Sequence, residues 1–343
     1  MLEAIVRQEI QEKGPLSQSR FMELALHHPI HGYYVSRETI GYDFTTAPEI
    51  SQVFGELIGL WAIDYYEKLG QPKTLSLVEF GPGKGTLMAD FLRTAKVSPS
   101  FSQALDIYMI ETNPLLKTIQ QKSIPHALNY VEHFDHIPDS PHPLIIIANE
   151  FFDVLSTNCY VRKANTLYEK CVDIQNDKLE FVLLKRAENK GPDQVWEESP
   201  QAVRLMKEIS TRLLKQKGIF LCIDYGYEQG GGDSLQALFE KEPSHPFSHI
   251  GKTDLTCHIN FGRLKEIAFF HGLGVLGPFP QGKFLENIGI NVRIGMLQHQ
   301  NPSDKASLAI GATRLTHPQQ MGALFKVMAV FSPPSLMPIG FKE

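Results

Sequence analysis

The stretch Glu79-Phe-Gly-Pro-Gly-Lys-Gly85 decides how this chain folds. It follows an apolar run at residues 75–78 and precedes a helix-like segment at residues 86–93, so its glycines fall on a strand-to-helix turn. Glycine lets the backbone approach a ligand closely and adopt positive φ, and the first turn of the following helix offers free amides and a partial positive charge. We therefore expect a nucleotide-like ligand at this turn.

The glycine spacing separates this turn from the dinucleotide-binding pattern. Dinucleotide folds use G-x-G-x-x-G, whereas here the third glycine comes one residue early and Thr86 stands where that pattern has glycine. Glu79 lies two residues before the first glycine, which is the form expected of S-adenosylmethionine sites. That cofactor carries an ammonium and a sulfonium and no phosphate, so a carboxylate at the strand end suits it. The alternative is a tight turn that binds nothing.

A second acid supports a cofactor site. Residues 106–111 read as a short buried strand that ends in Glu111. In doubly wound folds the acid after the second strand typically binds the ribose hydroxyls. We therefore expect Glu79, the glycine turn and Glu111 to share one ligand.

Strand and helix patterns alternate from residue 75 onward. The pattern predicts strands at residues 75–80, 105–111, 128–131 and 144–148, and helices at residues 85–95 and 114–121. Such alternation predicts a parallel sheet with helices on both faces. Residues 144–148 are apolar throughout, as expected of a central strand that is covered on both sides.

Three polar residues, Asn149, Glu150 and Asp153, follow this central strand. Ligands in doubly wound sheets bind beyond the carboxyl ends of the strands, so we expect these side chains to face the same crevice as Glu79 and Glu111. For Glu150 the alternative is a helix N-terminal acid that interacts with the helix dipole.

The pattern divides the chain into three regions. Residues 1–70 are predicted to form a helical N-terminal region with a lid, residues 71–156 and 201–343 a Rossmann-like domain, and residues 157–200 an inserted subdomain of short strands that meets the substrate. Between residues 263 and 331 we expect a helix, more loop and an antiparallel closing strand at 325–331.

Two features mark the N-terminal region. Thr46-Ala-Pro-Glu49 has the form of a capping box with proline in the first turn. The aromatic segments at residues 32–34 and 41–46 suggest a lid over the cofactor. After them, an apolar stripe at helical spacing predicts core positions at Phe54, Leu57, Ile58, Trp61 and Tyr65.

The composition limits the classes of function. The chain has 343 residues, of which 43% are hydrophobic and 21% charged, so it can bury a large core. Its net charge of -5 and its lack of a long basic run argue against nucleic-acid binding. No apolar stretch reaches the ~18 residues of a membrane span, and the four cysteines form no C-x-x-C, so we expect neither an integral membrane protein, nor a metal site, nor a disulfide framework. We expect an unprocessed cytoplasmic protein of bacterial type.

Several short stretches, taken in order, carry a resemblance to a known family. They are Gly14-Pro-Leu-Ser17, Phe21-Met-Glu-Leu-Ala25, His28-Pro29, Gly32-Tyr-Tyr34, Thr46-Ala-Pro-Glu-Ile-Ser-Gln52, Phe54-Gly-Glu-Leu-Ile-Gly59, residues 79–88, Ala148-Asn-Glu-Phe-Phe-Asp153, Asp224-Tyr-Gly226, Gly232-Asp-Ser-Leu-Gln236, Asp254-Leu-Thr256 and Gln281-Gly-Lys-Phe-Leu285. Together they are similar to the MidA family of methyltransferases over nearly the whole chain.

The resemblance implies a fold, a cofactor and a partner. The fold is an α/β class I methyltransferase, Rossmann-like with a seven-stranded doubly wound sheet, an added helical N-terminal region and an inserted substrate-side subdomain. The cofactor is S-adenosyl-L-methionine, and the residues implied to bind it are Glu79, Gly81, Pro82, Gly83, Gly85, Thr86, Glu111, Thr46 and Pro48. The family includes a mitochondrial complex I assembly factor that methylates an arginine of a core NADH dehydrogenase subunit. We therefore expect a protein substrate such as that subunit.

Arginine as acceptor places demands on the site. A guanidinium is always cationic and the incoming methyl group sits on a positive sulfonium, so carboxylates must hold two like charges together. Glu150 is the first choice, because a carboxylate can accept a forked pair of hydrogen bonds and orient the attacking nitrogen. Asn149 and Asp224 complete the predicted catalytic set, with His258 as a more distant candidate for removing the proton.

Some positions depart from the family pattern. Tyr42-Asp43-Phe44 stands where Gly-Asp-Phe is usual, Val154-Leu-Ser156 with Cys159 replaces Ala-Leu-Pro with Gln, and Asn260 replaces an Asp. The cofactor motif is unchanged. These departures cluster where lid or substrate contacts are expected, so an altered substrate is one hypothesis.

Other functions remain as alternatives. The chain could be a non-enzymatic S-adenosylmethionine-binding assembly factor for a protein complex, or a small-molecule methyltransferase. A nicotinamide-dependent dehydrogenase ranks last because the glycine spacing conflicts with it. A homodimer is one possible oligomeric state of the protein.

Overall fold

The computed structural model describes residues 1–36 and 45–342. The helices are α1 (Leu2–Lys13), α2 (Gln18–His27), α3 (Tyr33–Ser36), α4 (Ala47–Ile50), α5 (Gln52–Lys68), α6 (Thr86–Ala95), α7 (Pro99–Ala104), α8 (Pro114–Ser123), α9 (Pro200–Gln216), α10 (Phe261–Phe270), α11 (Gln281–Asn287), α12 (Ile290–Gln300) and α13 (Lys305–Thr316). Short 3-10 turns lie at Phe134–His136 and Pro302–Asp304, and a π-helical turn at Pro318–Gly322. Within the described ranges, no helix combines the length and apolar character needed to cross a membrane.

The strands alternate with these helices along the chain. They are β1 (Leu16–Ser17), β2 (Leu75–Phe80), β3 (Leu105–Ile110), β4 (Asn129–Val131), β5 (Leu144–Asn149), β6 (Asn158–Lys163), β7 (Thr166–Gln175), β8 (Lys178–Glu188), β9 (Gln194–Glu198), β10 (Gly218–Tyr227), β11 (Gln236–Phe239), β12 (Glu242–Pro243), β13 (Asp254–Thr256), β14 (Ile259–Asn260), β15 (Gly274–Pro280) and β16 (Phe325–Ser332). The strands and helices predicted between residues 75 and 148 are confirmed to within a few residues at their ends.

The chain forms two compact units. The first unit comprises Met1–Phe44, Phe152–Arg204 and Tyr227–Arg263, and the second comprises Thr45–Phe151, Leu205–Gly226 and Leu264–Glu343. This division differs from the predicted boundaries, which separated residues 1–70 from the insert at 157–200. Helices α1, α2 and α3 and the inserted strands belong to the first unit, whereas α4 and α5 belong to the second.

A single sheet organises the second unit. Seven strands follow one another in the order β15-β16-β10-β5-β2-β3-β4. Strands β10, β5, β2, β3 and β4 are parallel, and β16 runs antiparallel to both of its neighbours. The predicted antiparallel closing strand is therefore confirmed. Strand β5 lies between β2 and β10, and its residues 144–148 are at most 1% exposed, as predicted for a central strand.

Helix α5 carries the predicted apolar stripe into the core of the second unit. Phe54, Leu57, Ile58, Trp61 and Tyr65 are each at most 1% exposed, which confirms them as core residues. A Cβ on Gly55 would lie 2.7 Å from the Cβ of Asp90 in α6, and one on Gly59 would lie 2.9 Å from the carbonyl oxygen of Phe91. The two helices therefore approach each other through glycine.

The predicted capping box at residues 46–49 does not form. Thr46 occupies the N-cap position of α4, but its side chain makes no capping hydrogen bond, and Glu49 forms an ion pair with Lys84 at 2.9 Å instead. The chain becomes extended at Ser51, so one predicted helix start becomes two. The Ser51 hydroxyl accepts a hydrogen bond from the Val53 amide and caps the long helix α5.

Glu56 is a buried charge in the second unit. It is 3% exposed, and its carboxylate lies 2.7 Å from the guanidinium of Arg293 and 3.1 Å from that of Arg93. A buried carboxylate is tolerated when hydrogen-bonded cations compensate it. This pairing links α5 to α6 and to α12.

The first unit is built on antiparallel strands. Its larger sheet has the order β1-β7-β6-β9, with β8 also paired to β7, and its smaller sheet has the order β12-β11-β13. Leu16 of β1 is in register with Val172 of β7. Apolar residues of α1 and α2 share a cluster with Val172, Leu179 and Leu255. This common core explains why the N-terminal helices group with the insert.

Candidate functional site

The predicted site residues of the second unit meet at one edge of the sheet. Phe80 at the end of β2 is in parallel register with Ala148 of β5 and with Ile110 of β3. Asn149 is in register with Ile223 of β10. Because the carboxyl ends of parallel strands lie at the same edge, the ends of these four strands bring Glu79, Glu111, Asn149, Glu150 and Asp224 to that edge.

The glycine motif forms the predicted strand-to-helix turn. Gly81, Gly83 and Gly85 have φ values of 58°, 53° and 81°. Gly85 is the left-handed N-cap of α6, which begins at Thr86. Among the residues that the structure describes, a Cβ on Gly83 would meet no atom within 4 Å, so this part of the chain leaves open space beside the turn. L-residues with side chains rarely adopt such positive φ, and the turn therefore depends on glycine.

Glu79 is a buried acid near the end of β2. It is 3% exposed, and within the residues that the structure describes its Oε2 has no hydrogen-bond partner. Burial, with a smaller contribution from the charge of Glu111, raises the pKa of Glu79 to about 8. A cationic amino group would supply both a donor and a compensating charge. The site therefore fits a ligand that carries an ammonium.

Glu111 is held by hydrogen bonds on both oxygens. Its Oε1 accepts a hydrogen bond from the Asn113 amide at 2.8 Å, and its Oε2 accepts one from Gln120 Nε2 at 3.3 Å. Burial raises the pKa of Glu111, and these hydrogen bonds act in the opposite direction. Each carboxylate oxygen has a second lone pair, so Glu111 can still accept a hydrogen bond from a ligand hydroxyl.

Gln120 is a site residue that the sequence analysis missed. Its Nε2 also donates to the carbonyl oxygen of Gly83 at 2.7 Å, so it joins the glycine turn to Glu111. The available signal was its position: Leu116 and Gln120, one helical turn apart, are the two buried residues of α8. A polar residue on the buried side of a helix indicates a specific hydrogen-bond partner.

Glu150 follows β5 in a strained conformation. Its φ is +50°, and its amide donates to the carbonyl oxygen of Ile223 at 2.9 Å. Its Oε1 accepts hydrogen bonds from the amide of Ala47 at 2.8 Å and from Asn149 Nδ2 at 3.2 Å. In the described part of the chain, the buried Oδ1 of Asn149 has no hydrogen-bond partner. A carboxylate and an amide acceptor therefore stand side by side at the end of β5.

Asp224 is fully buried in β10, one residue after the last position at which β10 pairs with β5. Its Oδ2 accepts a hydrogen bond from the Phe151 amide at 3.2 Å, and its Oδ1 accepts one from the Tyr225 amide at 2.9 Å. Backbone donors stabilise the ionised form of a carboxylate. Asp224 thus holds the segment after Glu150 against the end of β10.

Helix α4 is attached to the same edge of the sheet by a hydrogen bond and an ion pair. The Ala47 amide bonds to Glu150, and Glu49 pairs with Lys84 of the glycine turn at 2.9 Å. Thr46 is half-buried and Pro48 is buried. Thr46 and Pro48 were predicted to lie at the site, whereas the Glu49–Lys84 pair was not, because residues 35 positions apart give no local signal of contact.

Other predicted residues lie in the first unit or outside the described chain. Asp153 is buried in the first unit, where its backbone carbonyl accepts a hydrogen bond from the Cys257 amide at 2.9 Å. The backbone amide of His258 donates to the Ser234 hydroxyl at 2.8 Å, and burial lowers the pKa of the imidazole. The departure at Tyr42 and residues 41–44 of the predicted lid lie outside the described residues.

Two departures from the family pattern have structural explanations in the first unit. Asn260 Oδ1 accepts a hydrogen bond from the Arg263 amide at 3.0 Å, at the start of α10. Asn and Asp cap helices about equally well, so this exchange keeps the cap. Cys159 is completely buried, and burial raises the pKa of its thiol to about 12. Cys159 is therefore a neutral core residue.

Comparison with known proteins places the chain among methyltransferases. A family model described as "Putative S-adenosyl-L-methionine-dependent methyltransferase" matches residues 57–279. A rat (Rattus norvegicus) relative, "Protein arginine methyltransferase NDUFAF7, mitochondrial", is 32% identical over 362 residues, which cover 94% of this chain and 82% of the relative. The human (Homo sapiens) protein of the same name is 31% identical and covers 94% of this chain and 81% of its own length.

Solved structures support the fold. A Burkholderia thailandensis protein, solved with S-adenosyl-homocysteine bound, superimposes with a TM-score of 0.81 at 24% sequence identity, covering 100% of this chain and 92% of that chain. A second structure from the same organism gives a TM-score of 0.82 at 23% identity with the same coverage. The α/β methyltransferase fold is therefore shared with these proteins.

Proposed function

The chain belongs to this family of S-adenosyl-L-methionine-dependent methyltransferases, and we propose that the methyl group is transferred to an arginine side chain of a protein. The observation that carries the proposal is the carboxylate and amide pair at the end of β5, Glu150 and Asn149. The name of the mitochondrial relatives supports the same acceptor, since they match nearly the whole chain.

The cofactor would be held by the edge of the sheet described above. Glu79 would bind the amino group through its buried oxygen, and Glu111 would bind the ribose hydroxyls. The open space at Gly83 allows close approach of the cofactor to the backbone. The remaining proposed contacts come from the turn and from α4: Gly81, Pro82, Gly85, Thr86, Thr46 and Pro48. When bound, the cofactor supplies an electrophilic methyl group on a positively charged sulfur.

Arginine fits the end of β5 because of charge and hydrogen bonding. A guanidinium has five N–H donors and no acceptor, so it needs several acceptors and a negative charge. Asn149 Oδ1 is a buried acceptor that lacks a donor within the described residues, and Glu150 adds the charge. Holding the guanidinium in this way would orient one nitrogen toward the methyl group. That nitrogen would form a bond to the methyl carbon as the carbon–sulfur bond breaks, S-adenosylhomocysteine would leave, and the extra proton on the nitrogen would pass to water.

Asp224 has a supporting role in this proposal. Its two oxygens accept hydrogen bonds from the backbone amides of Phe151 and Tyr225, so its carboxylate binds the backbone next to Glu150. We propose that Asp224 fixes the position of Glu150, and that its charge also attracts the cationic acceptor to the edge of the sheet.

Three finer assignments belong to the same proposal. The order of the seven strands and the antiparallel β16 support the seven-stranded, doubly wound class I form of the fold. The resemblance to the complex I assembly factor supports a subunit of NADH dehydrogenase as the protein substrate. A homodimer would be recognised from the mass of the purified protein in solution by light scattering.

Labelled methyl transfer tests the proposed function. The purified protein is incubated with S-adenosylmethionine that carries a labelled methyl group and with a cell lysate, and the labelled proteins are digested and sequenced by mass spectrometry. We expect methylarginine in one protein. Label on another residue type, or only in the small-molecule fraction, would overturn the arginine assignment. Absence of label together with retained partner binding by Gly83→Val would favour the non-enzymatic assembly factor.

A further inference from the structure

Gln120 occupies an unusual place beneath the cofactor site. It is completely buried in α8, and its Nε2 donates to two acceptors, the carbonyl oxygen of Gly83 at 2.7 Å and Glu111 Oε2 at 3.3 Å. These acceptors belong to the two chain segments that follow β2 and β3. One side-chain amide therefore connects the glycine turn with the acid that is implied to bind the ribose.

The same side chain also packs against the turn. A Cβ on Gly85 would lie 3.1 Å from Gln120 Cγ and 2.9 Å from Ile124 Cδ1, so α8 lies close beneath the last glycine of the motif. Gly83 has no such neighbour in residues 1–36 and 45–342, which leave open space beside it. Gln120 therefore supports the turn from the protein side and leaves the ligand side clear.

The choice of an amide at this position follows from the groups around it. Both partners are acceptors, so the side chain between them must be a donor. A glutamate would place another acceptor against Gly83 and Glu111, and an apolar residue would leave two buried acceptors without these donors. A neutral donor also adds no positive charge that would compete with a cationic ligand for Glu111.

We propose that Gln120 is a positioning residue for S-adenosylmethionine binding: it holds the Gly83 backbone and the Glu111 carboxylate in the arrangement that receives the cofactor. It acts through these two groups and contributes to affinity by fixing them before the ligand arrives. The proposal rests on the cofactor and is independent of whether the methyl acceptor is an arginine.

Calorimetric binding of S-adenosylhomocysteine tests the proposal. Gln120→Met keeps an unbranched side chain of similar size and removes both donors, and we expect it to raise Kd about tenfold. Gln281→Met is the matched control, because Gln281 is also completely buried, donates one hydrogen bond to a carbonyl oxygen (Leu315, 3.0 Å) and has an unpartnered Oε1 within the described chain. The control should lower the melting temperature similarly and leave Kd within about twofold.

A double-mutant cycle separates positioning from general destabilisation. If Gln120 acts through Glu111, the fold-increase in Kd of the double variant will be smaller than the product of the fold-increases in Gln120→Met and Glu111→Gln. Losses that multiply fully, an unchanged Kd in Gln120→Met, or an equal loss in Gln281→Met would each overturn the proposal. Should Gln120→Met fail to fold, Gln120→Asn is used in the same comparison, because its amide is one methylene shorter and cannot reach both acceptors from the same backbone position.

Discussion

Glu150 Oε1 accepts a hydrogen bond from the backbone amide of Ala47 at 2.8 Å. Ala47 is the first residue of α4, so the carboxylate that we propose to hold the methyl acceptor also holds the start of that helix. The second tie of α4 is the ion pair between Glu49 and Lys84 of the glycine turn. Removing the Glu150 side chain would therefore disturb both the proposed binding of the methyl acceptor and the start of α4.

Comparison of Glu150→Gln with Glu150→Ala distinguishes these two roles. Glutamine keeps an oxygen that can accept the Ala47 amide but has no charge, so we expect nearly unchanged stability and cofactor affinity with methyl transfer slowed by about 100-fold. Alanine should also lose about 1 kcal/mol of stability, because the helix start loses its acceptor. Transfer rates and thermal unfolding of the two variants check this, and normal transfer by Glu150→Gln would remove Glu150 from the reaction.

Glu79 should make stability depend on pH. The folded pKa of about 8 lies above the ordinary value of 4.5, so between these values the folded protein holds a proton that the unfolded chain has lost. Protonated Glu79 therefore contributes fully to the free energy of unfolding below pH 4.5. As pH rises from 4.5 toward about 8, the free energy of unfolding falls by at most about 1.4 kcal/mol per pH unit. Glu79→Gln should flatten the dependence in urea unfolding without ligand, and equal slopes in both proteins would contradict the assignment.

The open space at Gly83 predicts a selective effect on the cofactor. Gly83→Ala forces a side chain into a φ of 53°, which costs about 1–2 kcal/mol, and also fills the ligand side of the turn. Gly70→Ala is the matched control, since Gly70 has a φ of +84° and equally open surroundings after α5. Both variants should lose similar stability, but only Gly83→Ala should lose binding of S-adenosylhomocysteine in calorimetry. Equal affinities would place the cofactor elsewhere.

Close packing of α5 on α6 predicts opposite effects of the same substitution at two glycines. Gly55→Ala places a Cβ 2.7 Å from that of Asp90 and should destabilise by about 1–3 kcal/mol. Gly295 lies inside α12, and a Cβ there would meet no described atom outside the helix backbone within 4 Å. Gly295→Ala should therefore stabilise by about 0.5–1 kcal/mol, because alanine favours helix. Urea unfolding measures both, and destabilisation of the same size at Gly295 would show that packing is not the cause at Gly55.

Sequence periodicity predicted the elements that bury one clear face. Strand β5 and helix α5 are such elements, and both were located closely. By contrast, α12, α13 and strand β15 were not predicted between residues 263 and 331. In α12 and α13 the exposed side chains include Val292, Met296 and Ile310, so apolar residues lie around the helices and blur the helical period.

The candidate site divides in a similar way. Glu79, Glu111 and the glycines could be placed from sequence because they stand at fixed positions relative to strand ends. The contacts of Gln120 with Gly83 and of Lys84 with Glu49 could not, because each joins segments whose approach is decided by the packing of other elements. The hydrogen bond from the Ala47 amide to Glu150 could not be predicted for the same reason.

The pairing of Leu16 with Val172 means that the N-terminal helices cannot finish folding when they are first synthesised. As the polypeptide leaves the ribosome, the apolar sides of α1 and α2 emerge long before β7, and part of their shared core, including Leu255, emerges later still. Until then these helices have no finished surface to pack on, whereas β2, α6 and β3 can associate with near neighbours. The helices α1 and α2 should therefore stay sensitive to protease until residues near Leu255 have been made, although they contain the first residues of the chain.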